Sequence, residues 1–113
     1  MLMMSLTAGD VVWVPFPHVE ENRRRARPAL IAVSGVGPGE LMCWALMITS
    51  AERDEWPGDI RLADHKALGL PIPSKVRTAK IATLEASQAS LLSRLPQAEW
   101  QAIAAHLREA VAW

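Results

Sequence analysis

From Gln97 to Val111 the apolar residues Trp100, Ile103, Ala104, Leu107 and Val111 fall at i, i+3, i+4, i+7 and i+11. Gln101, Arg108 and Glu109 take the opposite side. This period marks one face of an α-helix that needs an apolar surface to cover. Pro96 suits the first turn, and Glu99 sits near the positive end of the helix dipole. The rest of the chain has no helix of that length; a short one is expected around Ser87 to Leu92.

The preceding segments read as short strands. Val11 to Phe16 is β-branched and aromatic, with Pro15 pointing to an edge or a bulge. Pro28 to Val33 and Leu41 to Ile48 follow, then Asp59 to Leu62, Leu70 to Pro73, Lys75 to Arg77 and Lys80 to Leu84. Residues 17 to 27 read as a polar loop, and 51 to 58 as another, leaving through Trp56-Pro57-Gly58. Many short strands closed by one helix imply a mainly β fold, a small barrel with a C-terminal helix packed on it. The 113 residues make a single domain, 1–113.

Composition narrows the function classes. Twelve basic and twelve acidic residues cancel, so any nucleic-acid site is a local patch and not a bulk polycation. The longest apolar run, Leu41 to Ile48, is far too short to span a membrane. No signal peptide is read at the N-terminus. The single cysteine, Cys43, lies in an apolar run and reads as a buried, inert thiol, which excludes a cysteine-built zinc site and suits a reducing cytosol. The histidines His18, His65 and His106 show no metal-ligand spacing, so neither a metal nor a cofactor is expected. His65 and His106 read as surface residues.

The local patch is the segment 18 to 27, with four arginines against two glutamates. Guanidinium binds phosphate in a bidentate fork, so Arg23, Arg24, Arg25 and Arg27 are suited to a phosphate clamp; a solvated loop neutralised by Glu20 and Glu21 is the other reading. Arg27 stands at the junction with the strand that starts at Pro28, where the scaffold holds it. Thr49 and Ser50 end the third strand; their hydroxyls can bond a phosphate or cap the next turn. Trp13, Trp44 and Trp100 fit core positions. Trp56, in a polar loop, can stack a base or plug the barrel end.

Gly9-Asp10-Val11-Val12-Trp13-Val14, Arg27-Pro28-Ala29-Leu30-Ile31, Ile48-Thr49-Ser50, and Ser74-Lys75-Val76-Arg77-Thr78-Ala79-Lys80-Ile81 with Thr83-Leu84 occur in that order. Together they resemble the MazF/PemK family of toxins from toxin–antitoxin pairs. The resemblance implies an SH3-like barrel of the CcdB/MazF/PemK type and a cytoplasmic homodimer. It also implies an antitoxin partner, with DNA bound through the antitoxin complex. It further implies metal-independent cleavage of single-stranded RNA to 2′,3′-cyclic phosphate and 5′-hydroxyl ends. Family catalytic positions map onto Arg27, Thr49 and Arg77. His18, Arg23, Arg24, Arg25, Ser50, Trp56 and Lys75 are the expected RNA contacts. Ala79 stands where the PemK branch has an aspartate, leaving His18, Glu20, Glu21 and Glu85 as candidate bases. A gyrase-poisoning toxin of the CcdB type and a catalytically silent binding barrel are the alternatives.

Overall fold

The computed structural model describes residues 5–18 and 23–111, with the side chains of residues 16–25 and 111 excepted. Strands β1 (Asp10–His18), β2 (Arg23–Val36), β3 (Met42–Ser50), β4 (Asp59–Arg61), β5 (Ser74–Glu85) and β6 (Ser90–Arg94) precede one helix, α1 (Gln97–Val111). They form one antiparallel sheet in the order β4-β5-β3-β2-β1-β6. The mainly β architecture and the helix bounds match the sequence reading. Among the described strands β4 and β6 are the sheet's two ends.

Two cores lie on opposite faces of the strands. Val11, Leu30, Leu46, Ile48 and Val76 turn toward Ile103 and Leu107 of α1, so the helix seals this side with its expected stripe. Val12, Val14, Ala29, Ile31, Cys43 and Ala45 form the second core, under Leu6, Leu84 and Leu91. Strands flanked by both cores must be apolar on both faces, which explains the unbroken runs 11–14 and 43–48. Cys43 is fully buried, and burial pushes its thiol up from the ordinary value.

Several boundaries differ from the sequence reading. Residues 17 to 27 are mostly not loop: β1 and β2 continue as a hairpin out to His18 opposite Arg23. A two-stranded ribbon of polar residues has the same composition as a loop. His18, Arg23, Arg24 and Arg25 are therefore strand positions, described in their register alone, and Glu20 and Glu21 lie outside the described residues. The pairing of β1 with β6 stops at Trp13 opposite Ser90, so Pro15 does sit beyond the last β6 partner. Lys75–Arg77 and Lys80–Leu84 are one strand, β5, interrupted in its pairing with β3. Residues 70–73 make a bend and not a strand. Around Ser87 there is only a 3-10 turn, Ala86–Gln88, before β6.

The tryptophans divide. Trp100 packs against the helix-side core as read. Trp44 is 37% exposed on the outer surface of β3, against its reading as core. His65 and His106 are half-buried and not fully on the surface. His106 has its Nε2 close to the turn at Gly58, where a β-carbon would stand 3.1 Å from it.

Gly58 closes the segment 51–58 at φ +88°, and a β-carbon there would stand 2.5 Å from Thr78 Oγ1. That hydroxyl donates to the Gly58 carbonyl at 2.7 Å, tying the loop exit to β5. Gly58→Ala therefore combines a disfavoured backbone with a steric conflict. It should lower stability by about 2–3 kcal/mol, read as a reduced denaturant midpoint at unchanged m-value; an unchanged midpoint would show that the turn relaxes freely.

Candidate active site

Strand register assembles the site. Val12 pairs with Ala29, Ala29 with Met47, Met47 with Arg77 and Arg77 with Asp59, a row across five strands. One row further, Val14 pairs with Arg27, Thr49 with Lys75, and Lys75 with Arg61. Continuing the Ala29–Met47 register by two residues sets Arg27 opposite Thr49.

Arg27, Thr49 and Ser50 line one open cavity of about 290 Å³ at this end of the sheet. Trp13, Arg53 and Ile72 also line it. None of its described lining residues is acidic, so two guanidinium groups and hydroxyls face an otherwise apolar hollow. Such a hollow favours an anion with an apolar attachment. Ser50 also caps the turn, its Oγ accepting from the Glu52 N–H at 3.2 Å. The capping reading of this hydroxyl thus holds.

Arg77, Lys75 and Trp56 do not reach this cavity. They belong to a separate charge cluster under the segment 51–58. Lys75, 3% exposed, lies 3.0 Å from Asp59 Oδ2 and 2.9 Å from Glu55 Oε1, and donates to the Arg53 carbonyl at 2.6 Å. The Arg77 Nε lies 3.5 Å from Asp59 Oδ2, another of its nitrogens donates to the Asp54 carbonyl, and its guanidinium stacks 4.1 Å from the Trp56 ring centre. Trp56 is therefore neither a barrel plug nor a free ring. One side of it is occupied by Arg77, and it stays 38% exposed.

Asp59 organises the cluster. Burial pushes its carboxyl up, but the Trp56 N–H that it accepts at 3.0 Å, then Lys75 and Arg77, outweigh burial and hold it below the usual carboxylate range. Burial also pulls Lys75 down, and Glu55 and Asp59 more than reverse that, raising it above the usual amine range. Asp59 Oδ1 and Arg77 Nε are buried without a hydrogen bond among the described groups. Of the candidate bases, Glu20 and Glu21 lie outside the described residues, and Glu85 is not brought in. Glu85 pairs with Met42, at the far end of β3 from Thr49, and Ala79 is exposed where the β5 pairing breaks. His18 lies four positions beyond Val14 on β1. Among the described residues no three His, Cys, Asp or Glu side chains group as a metal site.

Trp13, Arg53 and Ile72 escaped the sequence reading. Trp13 looked like core because its strand is apolar throughout. Arg53 and Ile72 arrive through turns whose paths no local pattern reveals.

Comparison with known proteins agrees with this architecture. The family model for the PemK-like, MazF-like toxin of type II toxin–antitoxin systems matches residues 7–111. No curated protein matches the sequence significantly. Among solved structures, MazF (Form-I) from Deinococcus radiodurans is similar at 22% identity and a TM-score of 0.71, over 98% of this chain and 100% of that one. MazE-MazF (Form-III) from the same organism matches at 22% identity and 0.72, over 96% and 98%. An endoribonuclease in complex with its cognate antitoxin from a mycobacterial species matches at 18% identity and 0.66, over 96% of each chain.

The Asp59 cluster has a pH signature. A carboxyl held below its unfolded value of 3.8 adds stability above that value, which is lost as pH falls through the folded one. A raised Lys75 contributes below its unfolded value of 10.5 and loses that contribution as pH rises past it. Asp59→Asn should lower the neutral-pH melting temperature by about 5 °C or more. It should also flatten the fall in melting temperature below about pH 4. An identical acid limb in wild type and variant would remove Asp59 as its source.

Proposed function

Because the chain belongs to the PemK-like, MazF-like toxin family of type II toxin–antitoxin systems, we propose that it is an endoribonuclease acting on single-stranded RNA without a metal. The observation that carries this reading is the cavity where Arg27 and Thr49, on neighbouring strands, share one acid-free wall.

RNA supplies its own nucleophile, the 2′-hydroxyl. Its attack on phosphorus builds negative charge on the non-bridging oxygens and expels the 5′-oxygen. The products are a 2′,3′-cyclic phosphate and a 5′-hydroxyl. Arg27 is suited to hold that charge, because its cation is permanent and its fork matches two phosphate oxygens. Arginine is a poor proton carrier at a pKa above about 12, so its role is electrostatic. Thr49, across from it, orients the phosphate or the 2′-hydroxyl through its own hydroxyl. Arg77 can serve as a second clamp only after Asp54 and Trp56 release it, and Lys75 acts by fixing the loop backbone. His18, at the hairpin that carries Arg23, Arg24 and Arg25, is the base candidate on the Arg27 side of the sheet, and those arginines extend the RNA surface. The arginine and hydroxyl pairing favours this chemistry over gyrase poisoning or a silent barrel.

A homodimer in the cytoplasm and an antitoxin partner complete the reading. Trp44 and Ile81, exposed on adjacent strands in diagonal register, form an apolar patch that a second copy can cover. Sedimentation at tens of micromolar should give about twice the 12.4 kDa chain mass, and Trp44→Glu should return it to one; a wild-type monomer at that concentration would rule the dimer out. An acidic antitoxin segment laid over the Arg27 cavity inhibits by occlusion, so it and an uncleavable RNA should compete.

The central test is single-turnover cleavage in EDTA. Arg27→Ala should cost two to three decades in rate, about 3–4 kcal/mol. Circular dichroism should show the fold intact. Arg27→Lys should recover little, lacking the fork. Near-wild-type cleavage by a folded Arg27→Ala variant would take Arg27 out of the site and the nuclease reading with it.

A further inference from the structure

A second hollow of about 190 Å³ adjoins the Arg27 cavity, and the two share Ser50 and Ile72 as their common wall. Glu52 and Arg61 line it with Pro73. The shared wall is tied from both sides. The Ala51 N–H donates to the Pro73 carbonyl at 2.9 Å, and Ser74 Oγ donates to the Ile72 carbonyl at 2.7 Å. The Glu52 N–H is held on Ser50 Oγ, and the Arg53 N–H donates to the Ser50 carbonyl at 3.1 Å. Four hydrogen bonds thus fix the position of a ridge whose crest, Ile72, is 47% exposed. A large apolar side chain held out on a braced ridge between two hollows is a surface for a flat, apolar object.

The charges on either side have a complementary order. Arg53 stands on the first hollow, and Arg61 on the second, both exposed. Glu52 is the acid of the second hollow. A phosphate alone would be repelled by Glu52, and an amine alone by Arg61. A nucleotide satisfies both: its phosphate meets the guanidinium, and an exocyclic amino group donates to the carboxylate, as adenine, cytosine and guanine can and uracil cannot.

We infer that the Glu52–Arg61 hollow is the subsite for the nucleotide next to the scissile one, with Arg61 taking its phosphate and Glu52 selecting a base that bears an amino group. The inference rests on the RNA reading above, but it concerns binding and stands or falls without cleavage. Arg53 lies between the two phosphates, and Ile72 supports the bases on either side of the ridge.

The test uses the full chain and fluorescein-labelled, 2′-O-methylated, uncleavable oligonucleotides, with anisotropy read across a salt series. Arg61→Ala should weaken a hexamer of mixed sequence several-fold and make the salt dependence shallower by about 0.7 in log–log slope, one phosphate's worth for a single strand. It should leave a 5′-phosphorylated mononucleoside, which fills only the first hollow, unaffected. Glu52→Gln should narrow the preference of wild type for an A- or C-containing hexamer over oligo-U. Arg108→Ala, exposed on α1, serves as the control that changes neither. If wild type binds the hexamers but Arg61→Ala binds them equally with the same slope, the subsite is wrong and the RNA reading survives. If wild type binds oligo-U as tightly as the other hexamers, the Glu52 selection is wrong. If wild type binds no RNA at any salt, both fail. Binding of an acidic peptide alone, lost in Arg61→Ala, would reassign the hollow to the antitoxin and overturn the proposal.

Discussion

The break in the pairing of β5 is the constraint on which the site end of the molecule depends. Leu46 faces Ile81, yet the next residue, Met47, faces Arg77, so residues 78–80 stand outside the ladder. The face on which alternate residues fall reverses across the break. Val76 enters the helix-side core before it, and Leu84 the second core after it. One strand therefore serves both cores. Lys75 and Arg77, alternating with Val76, are turned away from the helix side and toward Asp59. Thr78, inside the break, ties it to Gly58, so the strand irregularity and the loop exit hold each other in place.

This arrangement separates two sets of cations that look alike in sequence. Arg27 and Arg53 border an open cavity. Lys75 and Arg77 are committed to a nearly enclosed carboxylate and to loop carbonyls. Buried charge needs such partners, because desolvation otherwise makes it prohibitively costly. The first set lines the open hollow, whereas the second shapes the loop beside it. Two polar atoms in the second set remain without hydrogen bonds, so this cluster is held by charge and stacking more than by ideal geometry.

How much was legible in the sequence follows from how local each signal is. The helix was readable to its ends because a 3.6-residue period over fifteen residues has no competing explanation. The strands through Val11–Val14 and Cys43–Ile48 were readable because two cores leave no polar face to confuse the pattern. β5 was read as two pieces, since its period is broken where the ladder is. The arginine-rich hairpin reads as loop because a polar two-stranded ribbon and a loop share one composition. Arg27 and Thr49 could be named from motif resemblance, but their common cavity depends on register across β2 and β3. Trp56 and Arg77 were named as separate contacts, and only the fold shows them stacked.

The stop of β6 at Ser90 has a consequence of another kind. Beyond Trp13 the outer margin of β1 has no described neighbour, and the chain runs there through Pro15 and Pro17. A bare strand margin normally invites a further strand, from a ligand or from another molecule, and so seeds aggregation. Proline has no N–H to give such a newcomer. A strand approaching from that side meets carbonyls but no N–H at Pro15 and Pro17, so it cannot complete a ladder there and this margin resists growing the sheet.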